Sequence, residues 1–85
     1  MVSAVQPQVS VVIPAYNCAA YLPAALDSVT SQSYQPKEII VIDDGSTDQT
    51  ADIARSYSGV ICISQRNGGL SNARNTGISA ATVVP

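Results

Sequence analysis

The sequence predicts an α/β protein in which strands and helices alternate as β-α-β-α-β-α around a parallel sheet, and three observations support this. Four β-branched residues, Ile39-Ile40-Val41-Ile42, stand in a row and stop at Asp43-Asp44-Gly45-Ser46-Thr47-Asp48. So short an apolar run suits a strand covered on both faces, as parallel strands are. Similar β-branched runs occur at residues 9–13 and 60–63, and between the runs apolar residues recur at i, i+3, i+4 and i+7, the mark of one helical face.

Taken in order, Val9-Ser10-Val11-Val12-Ile13 forms the first strand. Pro14 should end it, because proline cannot donate to a sheet ladder. After a loop of Ala15, Tyr16 and Asn17, the residues Leu22, Ala25, Leu26 and Val29 define a helix over about residues 20–32, with Pro23 tolerated in its first turn. Tyr34-Gln35-Pro36-Lys37 breaks that helix and returns the chain to the central strand at residues 39–42. Ser46 and Gln49 have capping-box spacing, so the second helix should begin directly after the acidic turn. Thr50, Ile53, Ala54 and Tyr57 form its inner face, and Gly59 is placed to end it in a left-handed conformation. Val60-Ile61-Cys62-Ile63 is the third strand and residues 65–69 a polar loop. Leu70, Ala73, Gly77, Ile78 and Ala81 line a third helix, where the poor helix former Gly77 implies close packing on a neighbour. Thr82-Val83-Val84-Pro85 has the character of a further strand just beginning.

Composition narrows the function. A chain of 85 residues with net charge −2 and only four basic residues, Lys37, Arg55, Arg66 and Arg74, offers no basic patch for nucleic acid. No apolar run approaches the roughly 18 residues of a membrane span. Residues 1–8 read as a short polar arm lacking the charged and apolar regions of a signal peptide, which leaves residues 9–85 as one domain or part of one and a cytoplasmic address. Cys18 and Cys62 have no metal spacing and the chain has no histidine, so both are expected to be reduced, mostly buried thiols.

In this topology the three strand-to-helix turns meet at one edge of the sheet, where open α/β proteins bind ligands. A dinucleotide site would need G-x-G-x-x-G after the first strand, but Pro14-Ala15-Tyr16-Asn17-Cys18 contains no glycine. A phosphate loop is absent as well, since Lys37 precedes a strand. What remains is a tyrosine on one turn and carboxylates on the next. Tyr16 offers a nucleobase a flat face, and Asp44 can accept a hydrogen bond from the imide of uracil or the amino group of cytosine or guanine.

Residues 9–17, the run from Ile39 to Asp48, Asn67-Gly68-Gly69 and Ala73-Arg74-Asn75-Thr76-Gly77-Ile78 together resemble, in order and spacing, the amino-terminal half of family 2 glycosyltransferases. The resemblance covers residues 9–82. It implies a Rossmann-like first half of a GT-A fold, an inverting transfer of sugar from a UDP- or GDP-linked donor to a hydroxyl acceptor, and a magnesium or manganese cofactor. By position, Pro14, Ala15 and Tyr16 resemble the first wall of the donor-base pocket, with Asn17 beside them. Asp44 resembles the base-reading carboxylate, supported by Asp43 and Gly45, while Gly68, Gly69 and Arg74 resemble the segment that closes over the phosphates. The family's D-x-D metal motif, general base and acceptor site would follow residue 82. The expectation is therefore a donor-binding piece that lacks metal ligands and catalytic residues, is inactive alone and depends on a missing C-terminal half.

Simpler roles stand beside these. Asp43 and Asp44 could only cap the turn, Tyr16 could pack on the sheet edge, and Arg74 could be a solvated helix residue. Tyr34 and Tyr57 read as packing residues, and Ser71 and Asn72 as helix-start residues. A non-catalytic nucleotide-binding module and a truncated product without activity are the alternatives to the enzyme half.

Overall fold

A computed structural model describes residues 9–32 and 36–81. Its elements are β1 (Ser10–Ala15), α1 (Leu22–Thr30), β2 (Glu38–Asp44), α2 (Thr50–Ser56), β3 (Val60–Gln65) and α3 (Leu70–Ala80). The strands form one parallel sheet in the order β1-β2-β3, so the uninterrupted β-branched run lies in the centre. This is the expected Rossmann-like β-α-β-α-β-α unit.

Alternation along β2 assigns its side chains to two layers. Ile39 and Val41 face α1 and α2, where they pack with Leu22, Leu26 and Ala54. Ile40 and Ile42 face α3 and meet Ala73. Leu22, Leu26, Ile40 and Ile42 are almost fully enclosed, and each contributes about 1.5–3 kcal/mol relative to an exposed side chain. Tyr57 joins the first layer, and its hydroxyl can donate to Asp27 Oδ1 at 2.8 Å or to the Pro23 carbonyl at 3.2 Å, tying α2 to α1. On the other face, Gly77 lets α3 approach the sheet as the sequence implied. A Cβ there would lie 2.1 Å from Val12 Cγ1 and 3.3 Å from Ile42 Cγ1.

Several boundaries differ from expectation. Pro14 does not end β1, which continues to Ala15 with Pro14 opposite Ile42. Among the described residues β1 pairs only with β2, so its alternate amides point away from a partner, and a proline in such a place removes no bond of that ladder. β2 runs on through both aspartates, and β3 reaches Gln65. Helix α1 is shorter than predicted at both ends, with Pro23 in its first turn. The capping box does not form, and α2 begins only at Thr50. Ser46 Oγ instead accepts the Asn17 amide at 2.9 Å, and Asp48 Oδ1 takes the Thr50 amide at 2.9 Å. Gly59 has φ +82° but lies in the turn after α2, whose cap is Tyr57. Cys18 and Cys62 are free and half-buried. Residues 1–8, expected to form a polar arm, Tyr34 and Gln35 of the expected helix break, and residues 82–85 lie outside the described residues. No described helix is long and apolar enough to cross a membrane.

Candidate functional site

At the carboxyl edge of the sheet, a pocket of about 230 Å³ is lined by Pro14, Ala15, Tyr16, Asp44, Asn67, Gly69, Leu70 and Ala73. Pockets enclosing a whole small ligand usually span about 300–1,000 Å³, so this one has room for a ring system rather than for a whole nucleotide-sugar. Its walls come from the end of β1, the end of β2 and the start of α3. Tyr16, 54% exposed, stands at the rim, whereas Asp44 is only 3% exposed. Leu70 is 59% exposed and adds apolar surface to the opening.

The two adjacent aspartates do different work, because neighbours on a strand point to opposite faces. Asp43 belongs to the α2 side. Its Oδ1 accepts the Ser46 amide at 3.0 Å, which shapes the turn, and its Oδ2 accepts the Ser64 hydroxyl at 3.2 Å. Arg55 of α2 in turn donates to Ser64 Oγ at 3.0 Å. Asp44 belongs to the α3 side. Its Oδ1 accepts Gln65 Nε2 and the Gly68 amide, both at 2.9 Å, and its Oδ2 accepts the Gly69 amide at 3.0 Å. The bond from Gln65, followed by that from Gly68, holds the Asp44 carboxyl below the ordinary aspartate range despite its burial. A carboxylate has about four acceptor positions, so these three donors leave Oδ2 with capacity for one more.

The loops around the pocket are fastened to one another. Asn17, at φ 48°, receives the Thr47 amide on Oδ1 at 2.7 Å. Asp48 Oδ2 accepts the Ala19 amide at 3.1 Å, and Thr50 Oγ1 accepts the Cys18 amide at 3.0 Å while donating to Asp48 Oδ1. The Thr50 hydroxyl is the main reason that the Asp48 carboxyl titrates below its usual range. Gly45 has φ +75° and lies so close to the next loop that a Cβ would sit 2.7 Å from the Asn67 nitrogen. Only glycine satisfies both demands. Asn67 Nδ2 closes the arrangement by donating to the Asp44 carbonyl at 3.1 Å.

Of the residues selected from sequence, Pro14, Ala15, Tyr16, Asp44 and Gly69 line the pocket. Gly68 adjoins it through its bond to Asp44, and Asn17, Asp43 and Gly45 lie in the supporting framework. Arg74 is exposed on α3 and does not line the pocket. Asn67, Leu70 and Ala73 line it and had not been selected as site residues. Asn67 stood within the quoted Asn-Gly-Gly motif, and Leu70 and Ala73 read as ordinary apolar positions of a helix. Gln65 became visible only once the strand register placed it opposite Asp44.

A parallel three-stranded unit with its pocket at the carboxyl edge defines a Rossmann-like α/β protein. The model of Glycosyl transferase family 2 matches residues 10–83, and the chain belongs to that family. It is 49% identical over 73 residues to an uncharacterized glycosyltransferase of Rickettsia prowazekii, covering 85% of this chain and 23% of the relative. It is 42% identical over 79 residues to the glycosyltransferase GlyA of Streptococcus pneumoniae, covering 88% of this chain and 11% of that protein. A chondroitin synthase of Pasteurella multocida is 39% identical over 79 residues, covering 88% of this chain and 8% of the synthase. The chain thus spans less than a quarter of the length of these curated relatives.

Family membership is consistent with use of a divalent metal, yet Asp43 and Asp44 do not fit one. Their oxygens face N–H and O–H donors that a cation would have to displace. Among the described residues no group of three or more histidine, cysteine, aspartate or glutamate side chains is placed to hold a metal.

Proposed function

We propose that this chain is the donor-binding part of an inverting glycosyltransferase, and that the pocket takes the base of a UDP- or GDP-linked sugar. The supporting observation is that Tyr16 and Asp44, which are far apart in sequence, line one ring-sized pocket. The base stacks against Tyr16 and donates its edge N–H to the open position on Asp44 Oδ2. Pro14 and Ala15 supply the neighbouring wall, and Asn17, Asp43 and Gly45 keep the turns in place. The phosphates lie toward Gly68, Gly69 and Arg74. Residues 9–85 act as one partial domain behind the polar arm of residues 1–8, and the rest of the enzyme supplies the metal ligands, acceptor site and general base. Asp44 is poorly suited to proton abstraction, since the three donors that stabilise its carboxylate lower its affinity for a proton. The full protein would use a cytoplasmic donor pool, and the synthase named among the relatives points to polysaccharide as the product class.

Calorimetric titration of the purified chain with UDP, GDP and the corresponding monophosphates tests this. Saturable binding should weaken roughly tenfold or more in Asp44→Ala, as expected for a hydrogen bond to a charged group, and weaken again in Tyr16→Ala. Binding that neither substitution alters would refute the pocket. The same binding without turnover also fits a non-catalytic nucleotide-binding module, a reading favoured by the committed state of both aspartates. Sugar transfer or donor hydrolysis by the chain alone with manganese would show that it supplies more than binding.

A further inference from the structure

We propose that Gln65, held in one orientation by Thr76, is a positioning residue that aims the Asp44 carboxylate at the pocket, an inference that rests on the base-binding reading above. Gln65 is the β3 partner of Asp44 in the parallel register. Its Nε2 donates to Asp44 Oδ1 at 2.9 Å, and its Oε1 accepts the Thr76 hydroxyl at 2.6 Å. The amide is therefore polarised end to end, with a donor toward the carboxylate and an acceptor toward the hydroxyl. Rotating it by half a turn would set Oε1 against the carboxylate and the NH₂ group against Thr76, trading a charge-assisted bond for a repulsion.

Thr76 Oγ1 also lies 3.0 Å from the Asn72 carbonyl. A hydroxyl has one proton, and both Gln65 Oε1 and the Asn72 oxygen are acceptors, so the shorter contact to Gln65 is the one that fixes the amide. With Oδ1 filled by Gln65 and Gly68, the remaining acceptor position of Asp44 is on Oδ2. A base edge then meets a carboxylate already turned and ionised, as preorganised recognition requires.

The groups that bind Asp44 are all neutral. Asp43 precedes it on the same strand with its own partners, the Ser46 amide and the Ser64 hydroxyl, and among the described residues no arginine or lysine donates to Asp44. The acid titration of Asp44 therefore reports on this chain of hydrogen bonds.

The test compares Thr76→Val, which keeps the shape and loses the hydroxyl, with Thr76→Ser, which restores it, and adds Gln65→Leu as an independent break. UDP and GDP affinity are measured by calorimetry, the Asp44 carboxyl titration by carbon-detected NMR, and folding by circular dichroism. Thr76→Val should weaken nucleotide binding roughly three- to tenfold, the range of one neutral hydrogen bond. Gln65→Leu should weaken it by roughly tenfold or more, because it removes the charge-assisted bond itself, and both should raise the Asp44 titration midpoint. Thr76→Ser should remain within about twofold of the parent. If the parent binds and the two breaking variants leave either the affinity or the midpoint unchanged, the positioning role is overturned while the pocket stands. If the parent binds neither nucleotide, the base-binding reading falls and the positioning role falls with it.

Discussion

Replacing Gly77 with alanine sets two effects of known size against each other. In an isolated helix the change should stabilise, since glycine is about 0.8–1.0 kcal/mol less favourable than alanine. Here the new methyl would lie 2.1 Å from Val12 Cγ1 and 3.3 Å from Ile42 Cγ1. Val12 and Ile42 belong to adjacent strands of the sheet, so α3 must move or Val12 must leave its rotamer. Overpacking of this kind costs about 1–3 kcal/mol. The close contact at Val12 places Gly77→Ala in the upper part of that range, for a net loss of about 1–2 kcal/mol after subtracting the helix gain. For a domain of this size that lowers Tm by about 4–16 °C. Thermal and urea unfolding followed by circular dichroism measure it, and the double variant Val12→Ala/Gly77→Ala should recover much of the loss, because it removes the atom that clashes. If Gly77→Ala instead raised Tm, the packing of α3 on β1 would be wrong.

Acid sensitivity should depend partly on Asp48. Its folded pKa is lowered, so its contribution to stability is fully present above the unfolded value of about 3.9 and is lost as pH falls through the lower folded value. Asp48→Asn should make the stability curve shallower at that acid end, measured by urea midpoints across pH; a curve of unchanged slope would contradict the Asp48 contacts. The Cys62 thiol is pushed up chiefly by burial, so in the folded chain it should react with a disulfide reagent at pH 8 more slowly than in urea, read by mass spectrometry at that site. Equal rates in the two states would contradict its burial.

The sequence made the architecture legible where a local pattern was also the cause of the structure. The β-branched runs are strands because their side chains fill both faces of a parallel sheet, and Gly77 announced the close approach of α3. Pro14 misled because its effect depends on whether a strand is central or at an edge, which no local pattern contains. Ser46 and Gln49 misled for a related reason: the Ser46 hydroxyl accepts from Asn17, 29 positions away along the chain, and Asp48 reaches the amide of Thr50 first. The same limit applies to the site. Tyr16 and Asp44 could be chosen by residue type and by their place at strand ends, whereas the links from Gln65 to Asp44 and from Asn67 to the Asp44 carbonyl exist only through strand register.

The back-to-back placement of Asp43 and Asp44 has a consequence for how such a chain can diversify. One carboxylate maintains the bend through partners on the α2 side, and the other serves the cavity through partners on the α3 side. The two carboxylates share no side-chain partner, so substitutions at Gln65 can retune the cavity beneath α3 while the Asp43 bonds keep the bend. Asn67, which lines the cavity and also bonds the Asp44 carbonyl, is instead bound to both.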